Sequence, residues 1–366
     1  MSFYAMSRDC IVWPLLPKYF HTDDDALAVY SRNSNGPISR DRFGYLNRFS
    51  KWDLYPASIP FPSSSFTGTV DGIMDNRAGE IIEILKKSGR DGYIFVSGGV
   101  DSTAMTYALL NAAGGDIKNL HVIYTSASLE ENPKLFEFLK TTGIDLVEAP
   151  VNGISDTLEK VLEHSYAITG FAAGYFFDNI LNDDFPDLYF KDWRPWVKDD
   201  VAIGQFEEAF AHYGLPIRTF SEFAWFTGFS IRYDHSVHLD VCYSGKITNR
   251  CIGFYDVPEL NDWSVSNFDK LHRHRETETK YYKAELKDYI YKYNHDKEYR
   301  LYKGKKKSWK YKTTRFIRVK PRLIIMESPD SCVSFIGDKN LGFYERIRAY
   351  TLLYSQHAKK YRKEEV

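Results

Sequence analysis

The sequence has few cysteines, no long apolar run and no excess of charge of either sign. Its four cysteines, Cys10, Cys242, Cys251 and Cys332, include no C-x-x-C pair, which argues against a structural zinc site and against a redox pair. No apolar run approaches the roughly 18 residues that would span a bilayer. The 48 basic and 49 acidic residues nearly cancel, so overall charge favours neither a nucleic-acid nor a membrane partner.

The N-terminal segment also lacks the pattern of a secretory signal peptide. Its first positive charge is Arg8, and the apolar stretch that follows is short and interrupted by Pro14 and Pro17. We therefore predict a cytoplasmic protein. At roughly 150 residues per domain, a chain of 366 residues predicts two domains, or one domain with extensions.

Composition divides the chain into three consecutive parts. Residues 1–75 are irregular and strand-rich, and they end near the linker-like run Pro62-Ser63-Ser64-Ser65. Residues 76–310 alternate between helical and strand patterns and form the main domain. Residues 311–366 form a C-terminal extension, in which a last helix is predicted over 341–362.

The main domain begins with a β-α-β-α-β pattern. Short buried strands are predicted over 93–97, 121–126 and 145–151, and they alternate with helices over 101–112 and 132–143. Further helices are predicted from residue 76 to Gly89, over 156–166 and over 280–293. This spacing is typical of parallel-sheet units, so we predict an α/β fold with an open parallel sheet flanked by helices, a strand-rich N-terminal extension and a helical C-terminal part.

A glycine loop, Ser97-Gly98-Gly99-Val100-Asp101-Ser102, follows the first predicted strand and opens the next helix. Glycines let the backbone turn with positive φ and approach a ligand closely, and successive N–H groups at a helix N-terminus bind anions. Ser97, Ser102 and Thr103 add hydroxyl donors. A carboxylate beside polyphosphate is repulsive unless a cation lies between them, so Asp101 predicts a bound Mg²⁺.

The loop is not the G-x-x-x-x-G-K-[ST] phosphate loop, and it resembles the loop of the PP-loop (N-type) ATP pyrophosphatases. The resemblance implies the adenine nucleotide alpha hydrolase-like fold. It also implies attack by a substrate oxygen on the α-phosphorus of ATP, with pyrophosphate leaving. The adenylate would then be displaced by nitrogen or sulfur.

Three further segments are similar to the synthetase domain of asparagine synthetases, and they occur in the same order along the chain: 168–177, 249–256 and 279–286. The resemblance implies that Lys280 neutralises charge on the phosphates and that Asp256 positions the substrate or that lysine. It also implies that Lys305, in the basic run 303–307, contacts ATP or pyrophosphate.

The chain departs from that family in two respects. In the segment that corresponds to 168–177 the family has acidic residues, whereas this chain has Phe171, Gly174 and Tyr175. Asp178 lies close by, out of register, as a candidate second Mg²⁺ ligand. Position 2 is Ser2 instead of the cysteine that releases ammonia in glutamine-dependent members, and the 75 residues before the main domain are too few for a glutaminase domain. The expected nitrogen donor is therefore ammonia or an amine.

The principal prediction is an AMP-forming, ATP-dependent ligase that acts on a small molecule. One alternative is an enzyme that amidates or thiolates a nucleotide or nucleic acid. It would hold tRNA or DNA through residues 299–322, where basic and aromatic side chains interleave. The other alternative is an ATP-binding relative that has lost catalytic activity, because the acidic residues of the family are missing from 168–177.

Overall fold

The computed structural model describes residues 4–5, 41–49, 59–149, 164–170, 173–177, 190–197, 200–233, 251–273, 283–303, 322–328 and 331–336. The chain divides into two compact units that interleave along the sequence, whereas the composition suggested consecutive parts. The sheet unit comprises Pro62–Pro186 and Asn249–Ile317, and the hairpin unit comprises Met1–Phe61, Asp187–Thr248 and Arg318–Val366. Of the helices in the described ranges, none combines the length and apolar character needed to cross a bilayer.

The secondary structure elements are numbered here in chain order. The strands are β1 (Tyr4–Ala5), β2 (Gly92–Phe95), β3 (Leu120–Tyr124), β4 (Asp145–Glu148), β5 (Tyr166–Thr169), β6 (Cys251–Gly253), β7 (Arg322–Ser328) and β8 (Ser331–Ile336). The α-helices are α1 (Val70–Ser88), α2 (Val100–Ala113), α3 (Ser126–Glu131), α4 (Pro133–Thr142), α5 (Ala173–Phe176), α6 (Arg194–Val197), α7 (Asp200–Tyr213), α8 (Phe220–Phe226), α9 (Pro258–Ser266), α10 (Phe268–Arg273), α11 (Ala284–Asn294) and α12 (Lys297–Tyr302).

The sheet unit is built on a five-stranded, all-parallel sheet with the strand order β4-β3-β2-β5-β6. Ile94 at its centre lies opposite Val122 on one side and Ile168 on the other. All three side chains are fully buried. A parallel sheet needs cover on both faces, which explains why its central strands are apolar and why helices separate them along the chain. The predicted α/β fold with an open parallel sheet is confirmed.

The predicted strands of the glycine-loop region are present as β2, β3 and β4, and each ends a few residues earlier than predicted. The first helix begins at Val70 instead of residue 76, because the Thr69 side chain accepts a hydrogen bond from the Gly72 N–H and caps the helix there. The helix predicted over 156–166 falls mostly outside the described residues. Its last residue, Tyr166, lies in β5 and pairs with Gly92, so that end of the prediction was wrong.

The strand order creates a switch point between β2 and β5. From β2 the chain moves outward to β3 and β4, and then returns to the other side of β2 to form β5. In open α/β sheets, ligands bind in the crevice beyond the carboxyl ends of the strands at such a reversal. The glycine loop directly follows β2, so it lies where this architecture favours a ligand.

The hairpin unit contains the antiparallel pair β7 and β8, with β1 added along β7. This hairpin was not predicted, and the helix predicted over 341–362 lies outside the described residues. Helices of this unit pack through aromatic rings; Trp193 stacks on Phe223 with centroids 4.7 Å apart. The Asp41 carboxylate accepts hydrogen bonds from the hydroxyls of Tyr213 and Ser230, which joins its segment to the packed helices.

Candidate functional site

The glycine loop turns sharply between β2 and α2, and Gly98 makes that turn possible. Gly98 has a φ of +78°, a conformation that residues with a Cβ rarely adopt. A Cβ atom at this position would lie 2.5 Å from the Ser128 carbonyl oxygen and 3.0 Å from Glu131 Cβ. Both the backbone conformation and the neighbouring helix α3 therefore require glycine here.

Two serine hydroxyls hold the loop in shape. Ser102 Oγ accepts a hydrogen bond from the Ser97 N–H at 3.1 Å, and the two hydroxyl oxygens lie 3.1 Å apart. Ser97 Oγ also accepts a weaker hydrogen bond from the Gly99 N–H at 3.3 Å. Ser102 is buried, whereas Ser97 is exposed at the surface of the turn. The structure thus brings Ser97, Gly98, Gly99 and Ser102 into one compact turn at the N-terminus of α2.

Thr103, the third predicted hydroxyl donor, points into the protein. It is only 1% exposed, and its hydroxyl oxygen accepts a hydrogen bond from the Asn132 side-chain amide at 3.2 Å. Asn132 in turn caps α4 by accepting from the Leu135 N–H. Thr103 therefore supports the loop by tying α2 to the segment that follows β3.

Gly170, at the carboxyl end of β5, lies directly against the start of α2. A Cβ atom on Gly170 would lie 3.3 Å from both the backbone nitrogen and the Cα of Ser102. The end of β5 can approach the loop this closely because no side chain separates them. Gly170 belongs to the family-like segment 168–177. Of the altered positions in that segment, Gly174 and Tyr175 lie half-buried on α5, and Phe171 is outside the described residues.

Tyr255 fixes the loop from the β6 side. Its side chain is fully buried, and its hydroxyl donates a hydrogen bond to the Asp101 carbonyl oxygen at 2.8 Å. Burial raises the pKa of Tyr255, and the negative charge of Asp101 acts in the same direction. The predicted residue of this segment, Asp256, is exposed in the turn after β6, where its N–H bonds to the Gly253 carbonyl. Sequence reasoning missed Tyr255, although it lies next to the residue that was selected.

Lys283 forms an ion pair with Asp101, and its ammonium group contacts both carboxylate oxygens. The Lys283 side chain is 4% exposed and that of Asp101 is 27% exposed. Lys283 immediately precedes α11 as its N-cap residue, with a φ of +49° and no side-chain capping bond. A lysine cannot accept a capping bond, and a cation at a helix N-terminus opposes the helix dipole.

The position of Lys283 is therefore unfavourable for the helix it begins, and its contact with Asp101 accounts for it. Among the described residues, His295 is the other non-glycine residue with a φ in this range. His295 ends α11, where left-handed backbone is common. Strained backbone at a helix start is less usual, and strain of this kind concentrates at functional sites.

The predicted lysine of this segment, Lys280, lies outside the described residues. The same segment, 279–286, contains Lys283 three residues later, and this is the lysine that contacts Asp101 of the loop.

A second lysine–carboxylate pair lies at the edge of the loop. Lys303 Nζ bonds to Glu131 Oε1 at 3.0 Å, and their side chains are only 10% and 14% exposed. Glu131 ends α3, and its Oε1 lies 4.0 Å from the position that a Cβ on Gly99 would take. Neither residue was predicted. Lys303 is the first lysine of the basic run 303–307, whose predicted member Lys305 lies outside the described residues.

Tyr299, in α12, has a buried hydroxyl oxygen. Burial raises the pKa of Tyr299, and the negative charges of Asp101 and Glu131 act in the same direction.

The donor set fits Mg²⁺ only if a ligand supplies further oxygens. Mg²⁺ in nucleotide sites is usually held by one or two carboxylates together with phosphates and water, so Asp101 could hold it with a nucleotide. The other predicted metal ligand, Asp178, lies outside the described residues. Within the described ranges, no group of three or more His, Cys, Asp and Glu side chains could hold a metal by itself.

This arrangement can bind an anion through the backbone N–H groups at the start of α2. Lys283 and Lys303 lie nearby, each paired with a carboxylate. Comparison of the chain with known families found no matching family model, and comparison with curated proteins found no matching relative.

Proposed function

We propose that this protein cleaves ATP to AMP and pyrophosphate and transfers the adenylyl group to a small-molecule substrate in the cytoplasm. The adenylate is then displaced by ammonia or an amine to form an amide or another C–N bond. The observation that carries the proposal is the Lys283–Asp101 ion pair at the glycine loop. It joins a buried cation and a carboxylate to the switch point of the parallel sheet.

In this proposal the glycine loop binds the pyrophosphate portion of ATP. The N–H groups in the first turn of α2, which have no acceptor within the helix, point to its N-terminus, where the helix dipole also favours negative charge. Ser97 adds an exposed hydroxyl. A glycine at position 98 keeps side-chain atoms out of a turn that already contacts α3. These features favour a multiply charged phosphate chain.

Lys283 and Asp101 have different electrostatic roles in this proposal. Without a ligand, each neutralises the other, so neither charge is left uncompensated in a half-buried position. With a nucleotide, Asp101 would hold Mg²⁺, which supplies positive charge to the phosphate oxygens. Lys283 would then turn to the phosphates. Charge that develops on the leaving pyrophosphate is stabilised by a cation fixed nearby, a contribution often worth about 3–4 kcal/mol.

The direct test is to follow ATP, Mg²⁺ and a small-molecule extract by phosphorus NMR, with aspartate plus ammonia tried first. We expect AMP and pyrophosphate to appear together with the wild-type protein and to be absent with Asp101→Asn. Asp71→Asn is the matched control. Asp71 also lies in the first turn of a helix and also pairs with a lysine of α11, Lys292.

Three results would contradict the proposal. Release of ADP and phosphate would place cleavage at the wrong bond, and AMP formation by Asp101→Asn at the wild-type rate would remove the proposed role of that carboxylate. ATP that binds but stays intact in every extract, with and without nucleic acid, would indicate a nucleotide-binding protein without this chemistry.

A further inference from the structure

Arg77 connects α1 to the carboxyl end of β6. It lies three or four positions from the buried residues Ile73, Met74 and Ile81, and so on the inner face of the helix. Its Nη2 donates a hydrogen bond to the Gly253 carbonyl oxygen at 3.0 Å. Gly253 is the last residue of β6. Because the sheet is all parallel, the guanidinium therefore lies at the edge of the sheet that also carries the glycine loop.

The bond to Gly253 is the strongest contact of the Arg77 guanidinium that the structure describes. The side chain is 17% exposed, and its Nε is buried with no hydrogen-bond acceptor among the described residues. Its ion pair with Glu80 contributes little, because Glu80 is 60% exposed. A buried donor without an acceptor lowers stability, whereas a charged donor on a part-buried carbonyl forms a strong hydrogen bond.

The Gly253 carbonyl also begins the turn that follows β6. It accepts a second hydrogen bond, from the Asp256 N–H at 3.3 Å. A Cβ atom on Gly253 would lie 3.1 Å from Asp256 Cβ, so the turn is tight. Within it, the Phe254 N–H bonds to the Thr169 carbonyl of β5 at 2.9 Å. Arg77 thus holds the first residue of a closely packed turn, 253–256.

The same turn carries the tyrosine that contacts the glycine loop. Tyr255 is fully buried, and its hydroxyl donates to the Asp101 carbonyl oxygen in the first turn of α2. Two hydrogen bonds, Arg77 to Gly253 and Tyr255 to Asp101, therefore connect α1 with the start of α2. Hydrogen bonds weaken steeply when their geometry changes, so a shift of the turn would weaken the contact with Asp101.

We propose that Arg77 is a positioning residue of the ATP site and acts through the turn 253–256. Its guanidinium fixes the Gly253 carbonyl, and the turn then sets the Tyr255 hydroxyl against the Asp101 carbonyl. This contact holds the first N–H groups of α2 in the geometry that binds pyrophosphate. The inference rests on the proposed function, because it assumes that the glycine loop binds a phosphate chain. It adds a residue of α1, a helix that lies outside the motifs of the sequence.

Calorimetric titration with pyrophosphate in Mg²⁺ tests the proposal in a double-mutant cycle. We expect Arg77→Met and Tyr255→Phe each to weaken binding by about tenfold, because each removes one hydrogen bond of the same connection. The double variant should also bind about tenfold more weakly, since the second change removes nothing further from an interrupted connection. Arg77→Lys keeps a charged donor and should lose less affinity than Arg77→Met.

Two control variants separate positioning from general stability. Thr69→Ala removes the N-cap of α1, so it destabilises the same helix without a contact to the turn. Glu80→Gln removes the exposed partner of Arg77. Both should bind pyrophosphate with wild-type affinity. Urea unfolding of every variant verifies that each is folded under the conditions of the titration.

Four results would overturn the proposal while leaving the proposed function intact. They are wild-type affinity in Arg77→Met, a hundredfold loss in the double variant, a loss in Thr69→Ala equal to that in Arg77→Met, and a loss in Arg77→Lys as large as in Arg77→Met. The second would mean that Arg77 and Tyr255 act independently, and the third that any destabilisation of α1 weakens binding. A wild-type protein that binds neither pyrophosphate nor ATP would refute the proposed function itself, and this inference with it.

Discussion

Replacing Gly98 by alanine tests whether the glycine loop is shaped as described. An alanine held at a φ of +78° costs about 1–2 kcal/mol relative to glycine. The new methyl group would also lie 2.5 Å from the Ser128 carbonyl oxygen. Relieving such an overlap requires a backbone shift that typically costs about 1–3 kcal/mol. We therefore expect Gly98→Ala to lower the free energy of unfolding by about 2–5 kcal/mol and to abolish pyrophosphate binding.

Gly143→Ala provides the matched control. Gly143 has a φ of +75°, but a Cβ there would meet no atom within 4 Å. It should lose only the conformational part, about 1–2 kcal/mol, and keep its pyrophosphate affinity. Urea unfolding and calorimetric titration of both variants provide the two measurements. Equal losses of stability would refute the close contact between Gly98 and α3, and unchanged pyrophosphate binding in Gly98→Ala would refute the role of the loop.

Three further predictions concern the residues around the loop. A double-mutant cycle of Asp101→Asn and Lys283→Met should give a coupling of about 1–3 kcal/mol in urea unfolding, and additive effects would contradict the ion pair. Tyr255→Phe should lower stability by about 1 kcal/mol, because the Asp101 carbonyl loses a buried partner; a change within error would make that hydrogen bond unimportant. Burial lowers the pKa of Lys287 to about 8 from its usual 10.5. Below pH 8 we expect Lys287→Met to be the more stable protein, because the wild type buries a charge. Between pH 8 and 10.5 the unfolded chain holds the proton that the folded protein has lost, so the wild type should gain up to about 1.4 kcal/mol per pH unit relative to the variant. Urea unfolding of both proteins at pH 7 and pH 10 measures this, and a difference that does not change with pH would be inconsistent with the burial of a titrating lysine.

The parallel sheet and the glycine loop could be predicted because their signals are local. Buried strands such as β2 carry short apolar runs, and the two glycines follow the first run directly. Helix ends were accurate where glycine marks them, as at Gly114 and Gly143. The start of α1 was missed because Thr69, its N-cap, precedes residues that do not look helical, including Gly72.

The partners of the loop could not be predicted because they come from distant parts of the sequence. Lys283 and Tyr255 are separated from Asp101 by more than 150 positions. Glu131 has no motif of its own, and its relation to Lys303 follows only from the packing of α3 and α12 beside the loop. A pattern of residue types can indicate that such a segment belongs to the site. Which of its side chains reaches the loop depends on the backbone direction at one residue, as with Lys283 and its positive φ.

The two lysines at the start of α11 are unfavourable for the stability of the helix and of the fold. Lys283 combines a strained backbone, a buried ammonium and a position that opposes the helix dipole. One turn later, Lys287 is fully buried and its pKa is lowered by burial. Local rules for helix formation and burial disfavour each of these features, and proteins usually break such rules at functional sites. Lys283 contacts the carboxylate of Asp101, so part of this cost is offset at the glycine loop, where the proposed function requires a cation.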